Sequence, residues 1–241
     1  MMNKTVRHIA IAAGLLTLAS CTTMYDSQYS VTGTSSQSYL DGNVAYIRRM
    51  DRGYYQNVDS CEVIHGNFQM SGPLDSVMCV SLVMGSTYQA GNQPILVVLE
   101  QGDVKVNIDY ASVRAGGTPL NDILYSFLAT RDSIGMMLTD PALTQLEMMV
   151  DGYSGDAIRT RLQQVERANR KVYDELHRLD VRFVEKNYDN VLGVTWFLQM
   201  CDDALIRTGT PVTPQIRKIY NRAPESFKQN PDIRRCMMMF R

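Results

Sequence analysis

Pro94-Ile95-Leu96-Val97-Val98-Leu99-Glu100 is the stretch that decides how this chain is read. Five apolar residues stand in a row, three of them β-branched, between a Pro and the tight-turn sequence Gln101-Gly102-Asp103. A run this short and this rich in branched residues reads as a strand buried on both faces. Working outward, Val104, Val106 and Ile108 alternate with polar residues after the turn, and Val113-Arg114-Ala115-Gly116 reads as a last short strand. Upstream, Asp75 to Met84 is apolar enough for a buried strand. Gln56 to His65 and Asn67 to Ser71 flank Gly66 and read as a hairpin, with Gly66 supplying the positive φ of the turn. Asp41-Gly42 is a turn signal before Asn43 to Arg48, and Tyr29 to Gly33 opens the series. Seven or eight strands at near-regular spacing predict an antiparallel β-sandwich or open barrel over residues 28–117.

From residue 118 the period changes. Thr118 is suited to an N-cap and Pro119 to the first helical position. Leu120, Ile123, Leu124, Phe127, Leu128, Ile134 and Met137 form one apolar helical face. A long helix starts near Ser154, with Ile158, Leu162, Val165, Val172, Leu176, Leu179 and Phe183 in heptad spacing and Asn169 in the remaining slot. That seam is either the core face of a helical hairpin or a coiled-coil contact with a partner chain in which Asn169 fixes register. Asn187 to Asn190 breaks the helix. Val191 to Ile206 is apolar nearly all round and reads as a central core helix. Thr213-Pro214 starts a short helix to Tyr220, and Pro224 to Phe240 forms the last one. The fold class expected is α+β: the sandwich, then an all-helical domain over 118–241.

The start of the chain has the layout of an address. Lys4 and Arg7 precede ten apolar residues, Ile9 to Leu18, too few to span a bilayer. Leu18-Ala19-Ser20-Cys21 resembles the lipobox of bacterial lipoproteins. The resemblance implies a signal peptide over 1–20, cleavage between Ser20 and Cys21, acylation of Cys21 and an anchor linker over 21–27. Two or more acyl chains anchor stably where one is marginal. Surface-exposed members among such lipoproteins tend to carry an acidic run after the Cys, and none follows Cys21, so the resemblance implies a periplasm-facing anchor in the outer membrane or cell envelope.

Six pieces of the β half resemble, in order, a domain common in lipoproteins of the Bacteroides group, domain of unknown function four-three-six-nine. They are Tyr29-Ser30-Val31-Thr32-Gly33, Asp41-Gly42-Asn43-Val44-Ala45-Tyr46, Val58 to Val63, Gly66 to Gly72, Leu99 to Val106 and Gly116 to Asp122. Val184 to Gly193 and Ala223 to Lys228 are similar to segments of longer family members, membrane-anchored thiol–disulfide oxidoreductases that end in a thioredoxin-like domain. The resemblance implies the non-catalytic portion of such a protein, and it carries over no catalytic residue.

The chemistry-bearing residues are sparse. The chain has 241 residues, 24 Lys+Arg, 25 Asp+Glu, 5 Cys and 3 His, with a net charge of -1, so no basic face for nucleic acid is expected. Beyond Cys21 the cysteines are Cys61, Cys79, Cys201 and Cys236, and none forms Cys-x-x-Cys. Cys61–Cys79 and Cys201–Cys236 are the economical disulfides of the three pairings open to four cysteines, with free thiols as the alternative. His65 suits a turn, and His177 a solvated helix face. No metal site, cofactor or catalytic constellation is expected. The 15 Met include pairs at 136/137 and 148/149, read as adaptable core packing or, less simply, as a Met-lined copper or peptide site. The function expected is non-enzymatic binding or scaffolding in the envelope, at a site between the two halves. The alternative is an accessory to thiol–disulfide chemistry with a separate thioredoxin-like partner. Oligomeric state is left open.

Overall fold

The structure is a computed structural model that describes residues 27–51, 54–85 and 94–238. The signal sequence, Ser20 and Cys21 lie outside the described residues. Eight strands come first: β1 (Gln28–Ser35), β2 (Val44–Asp51), β3 (Tyr54–Glu62), β4 (Asn67–Pro73), β5 (Met78–Met84), β6 (Ile95–Leu99), β7 (Gly102–Ile108) and β8 (Val113–Gly116). Helices α1 (Pro119–Gly135), α2 (Pro141–Val150), α3 (Gly155–Lys186), α4 (Val191–Thr208), α5 (Pro214–Arg222), α6 (Glu225–Lys228) and α7 (Pro231–Met238) follow.

The strands form two four-stranded sheets, ordered β4-β1-β7-β8 and β3-β2-β5-β6. Their facing sides alternate inward and enclose one core, with Val31, Phe68, Val104 and Val106 from the first sheet against Ile47, Val80, Leu82 and Val97 from the second. The expected sandwich is thus present, and no barrel closes. One pairing departs from the antiparallel expectation: β1 and β7 run parallel.

The hairpin expected at Gly66 is also different. Ile64 and Asn67 exchange two backbone hydrogen bonds, at 2.8 and 3.0 Å, around His65 (φ 50) and Gly66 (φ 72). Two positive φ values in a two-residue turn make a type I′ turn. The strands that leave it part at once: β3 pairs with β2 in one sheet and β4 with β1 in the other. The turn is local chemistry, while the pairing is decided by which sheet can bury Phe68 and Met70.

Strand β6 is covered on both sides, as its sequence predicts. Ile95, Val97 and Leu99 enter the sandwich core, while Leu96 and Val98 join a second core under the helices. Cys79 of β5 also faces that second core. The molecule therefore has three layers: sheet, sheet, helices. Central α4 contributes Trp196, Phe197, Met200, Cys201 and Ala204, all buried. Phe127 of α1 stacks on Phe183 of α3 at 3.8 Å between centroids and meets Trp196 edge-on at 4.7 Å.

Two helical expectations need correction. The segment Pro141–Val150 is a helix in addition to those expected from the sequence. The last helix is two, α6 and α7, separated at Asn230-Pro231. Pro231 disfavours helical backbone in the residue before it, and the Asn230 side chain then caps α7 by accepting from Asp232 N (3.0 Å) and Ile233 N (3.3 Å).

Candidate interaction site

The joint between sandwich and helices, where a site was expected, is filled. Its polar centre is Asn121, whose side chain is fully buried. Nδ2 donates to Val98 O (2.8 Å) and to Thr118 Oγ1 (2.8 Å), and Oδ1 accepts from Val98 N (3.0 Å). Glu100 Oε1 accepts from the N–H groups of Leu120 (2.8 Å) and Asn121 (3.2 Å), placing a carboxylate at the N-terminus of α1. Tyr125, one turn on, donates its hydroxyl to Leu96 O at 3.1 Å. Helix α1 thus lies along the outer edge of β6 and occupies backbone groups that an edge strand would leave open.

The cavities lie elsewhere. One of about 510 Å³ opens among Arg217, Tyr220, Lys228, Arg234 and neighbours at the C-terminal helices. One of about 630 Å³ lies between the start of α2 and the middle of α3, lined by Leu138, Thr139, Asp140, Pro141, Glu166, Asn169, Arg170 and Tyr173. At its floor Asn169 accepts from Thr139 N at 3.0 Å and donates to Thr139 O at 2.7 Å. The polar residue in the heptad series therefore holds the α1–α2 loop of its own chain. Among the described residues α3 packs on α1, α2 and α4, with Val165, Asn169 and Phe183 of the seam buried and Ile158, Leu162, Val172, Leu176 and Leu179 half-buried.

Helix α2 is turned the wrong way round for a core element. Asp140 caps it, accepting from Ala142 N (2.8 Å) and Leu143 N (3.4 Å), and Pro141 takes the first position. Toward α3 it presents the buried Thr144 and, one turn later, half-buried Met148. At about 100° per residue, the opposite side carries Ala142, Leu143, Leu146, Met149 and Val150, all exposed. Leu143 is 54% exposed, Leu146 58%, Met149 59% and Val150 78%. Met136, Met137 and Tyr153, at the two ends of this segment, are also more than half exposed. A contiguous apolar patch larger than a few hundred Å² marks an interaction surface. The Met pairs read as core packing thus divide: Met148 faces inward and Met149 outward on α2, while Met136 and Met137 are exposed just after α1.

The four cysteines among the described residues, Cys61, Cys79, Cys201 and Cys236, are free thiols. Cys61 and Cys79, expected to pair, do not meet. Cys61 sits opposite Ala45, Ala45 opposite Met84, and Cys79 is five residues from Met84 along β5. Two strand spacings separate β3 from β5, about 10 Å, and the two thiols face different cores, so no bridge can close. Burial pushes the Cys79 thiol up to about 11, partly offset by a hydrogen bond with Thr195. Cys201 and Cys236 do come together, from α4 and α7. The Cys201 thiol hydrogen-bonds to Cys236, which holds Cys236 below the ordinary thiol range and, with burial, drives Cys201 far above it.

Of the other residues singled out in the sequence, His65 is in the type I′ turn and accepts at its carbonyl from Asn67 Nδ2 (2.8 Å). His177 is exposed on α3. The described residues hold no group of three or more His, Cys, Asp or Glu placed to bind a metal ion, and no described helix is long and apolar enough to cross a membrane. One buried ionic group was not foreseen. Asp180 Oδ1 accepts from Arg131 Nε and from Trp196 Nε1, each at 3.1 Å, tying α1, α3 and α4 together.

Two cross-strand pairs complete the geometry of the β half. Phe68 lies across Gly33, its register partner, so closely that a Cβ on Gly33 would stand 1.9 Å from the ring. Tyr29 lies across Gly72 in the same strand pair and donates its hydroxyl to Asp59 of the other sheet at 2.9 Å. Residues 29–124 match a family model described as a domain of unknown function, DUF4369. No curated protein and no solved structure matches the chain. The DUF4369 match accounts for the residues quoted above from the β half. Tyr29, Gly33, Asp59, Phe68 and Gly72 are the aromatic–glycine pairs and their anchor, and Gly116 to Asp122 is the joint. It runs through Asn121 into the first turns of α1, past the boundary at 117 expected from periodicity. The apolar face of α2 and the Cys201–Cys236 pair lie C-terminal to the DUF4369 segment.

Proposed function

We propose that this chain is a non-enzymatic binding protein of the cell envelope, lipid-anchored through Cys21 and offering the outward face of α2 to a protein partner. The observation that carries the binding role is the inside-out packing of α2, whose apolar side meets solvent while Thr144 faces the protein. Water-facing Leu and Val at this density are unfavourable for an isolated molecule, by roughly 1.5–3 kcal/mol per side chain that burial would recover. The anchor is supported by the lipobox-like Leu18-Ala19-Ser20-Cys21.

A photo-crosslinking amino acid at Leu146, in the native host, tests the binding role. A discrete adduct is expected there and not at Gln163, an exposed polar position on α3. No adduct at Leu146 would sink the reading. A Cys21→Ala chain should leave the membrane fraction, and persistence there after a carbonate wash would refute the anchor.

A second reading, an accessory to thiol–disulfide chemistry, is favoured by one observation: Cys201 and Cys236 face each other with one thiol acidified by the other. With Cys201 and Cys236 first oxidised to a disulfide by diamide, the single thiolate of a thioredoxin-like partner carrying Cys-x-x-Ser should attack that bond, forming a mixed disulfide with one cysteine and releasing the other as a thiol. Absence of the adduct counts against this role.

A further inference from the structure

We propose that the outward face of α2 docks a cationic amphipathic helix of a partner protein. The inference rests on the binding role just proposed and names the chemistry of its occupant. Two independent features of the surface select that chemistry. The first is shape and polarity: Leu143, Leu146, Met149 and Val150 repeat at helical spacing along the outward side of an exposed helix. A single apolar helix side is best covered by another helix that presents anchors at the same spacing. Met149, in the middle of this side, has an unbranched chain that adapts to differing anchors.

The second feature is charge. From Asp132 to Gly155 the chain carries Asp132, Asp140, Glu147 and Asp151, and no Lys or Arg. Asp140 and Asp151 cap the two ends of α2 and Glu147 lies on its flank, while Arg170 of α3 lines the cavity beside Asp140, on the side of α2 that faces the protein. The rest of the helical half mixes both signs: α3 alone pairs Asp156 with Arg159 and Glu175 with Arg178 and Arg182. An apolar stripe with an acidic border complements an apolar stripe flanked by Lys and Arg, and it disfavours acidic partners. The same border is repulsive to an anionic lipid surface.

The test uses the full chain, with Cys21→Ala so that no acyl group intervenes. It is titrated against a fluorescent Leu/Lys helical peptide of about 14 residues, long enough to form three to four turns. Saturable binding is expected, at least about tenfold tighter than for the Leu/Glu peptide of the same pattern. Leu146→Glu, and separately Glu147→Lys with Asp151→Lys, should each weaken it at least about tenfold. All three positions are on the surface, and circular dichroism checks that the fold is kept; Val150→Glu serves if Leu146→Glu unfolds. No binding, or equal binding of the two peptides, overturns the proposal. So does a concentration-dependent mass, or sedimentation with phosphatidylglycerol vesicles, that Leu146→Glu abolishes, since a second copy or a membrane would then be the occupant. A crosslink from Leu146 to a partner without a basic helix leaves the binding role standing and removes only this inference; no crosslink removes both.

Discussion

Asn121 pairs with both backbone groups of Val98, donating to its carbonyl at 2.8 Å and accepting its N–H at 3.0 Å. One amide side chain thus imitates a neighbouring strand at the open edge of β6. Asn121→Ala leaves a buried N–H and C=O without partners, at a cost of roughly 2–4 kcal/mol. Urea denaturation reads the loss, and hydrogen exchange locates it: the Val98 amide should become markedly less protected. Unchanged protection at Val98 would show that the bond carries no weight.

Gly33 leaves room for the Phe68 ring across the strand pair. Gly33→Ala puts a methyl group inside the ring's volume, so the ring must swing out, costing about 1–3 kcal/mol. In the Gly33→Ala background, Phe68→Leu should cost less than in the wild type, because the packing it removes is already lost. Strict additivity in that double-mutant cycle would contradict the pairing.

Asn169 holds the loop that launches α2. Asn169→Ala should cost about 1–3 kcal/mol and release α2 locally. Amide exchange should rise over Pro141–Val150 while α4 stays protected. A uniform rise through all helices would mean that Asn169 is not a local tether.

Asp180 sets a pH dependence of definite sign. Burial raises its folded pKa above the ordinary 3.8, with Arg131 and then Trp196 acting against the rise. The folded state therefore holds its proton longer than the unfolded chain does. This group's contribution to stability is fullest below pH about 3.8 and is lost as pH rises through the folded value. Measured against Asp180→Asn, wild-type stability should fall over that interval and then level off. A difference that grows in the wild type's favour with rising pH would contradict the assignment.

Cys236 and Cys201 should differ as nucleophiles. Iodoacetamide is expected to modify Cys236 first, Cys79 and Cys201 last, because only Cys236 is both half-exposed and acidified. Diamide oxidation should remove two hydrogens and link Cys201 to Cys236. A Cys61–Cys79 peptide in the digest would overturn the strand register.

The residues that obey a period were legible in the sequence. The run Ile95 to Leu99, the alternation of β7 and the apolar girth of α4 each announce their element. Features that depend on a distant partner were not. Nothing near Gly66 says that β3 and β4 leave for different sheets, because that choice belongs to β1 and β2. Helix α2 is short, ten residues, and although Leu143, Leu146, Met149 and Val150 keep a helical spacing, nothing in that spacing says that this side faces solvent. Its start was written plainly in Asp140-Pro141, the same cap-then-proline signal that marks α1 and α5. Asn169 was noticed as an interruption, but only its bonds to Thr139 say what it interrupts for.

Because β6 divides its side chains between two cores, the sandwich has no independent existence at its sequence boundary. A fragment ending at residue 117 would expose Leu96 and Val98 together with the outer edge of their strand, a pattern that recruits other chains. Removal of α1 or α4 should therefore leave an aggregating fragment, and unfolding of sheets and helices should be a single cooperative event. For recombination between related proteins, the smallest transferable piece is the two sheets with the helices that seal them.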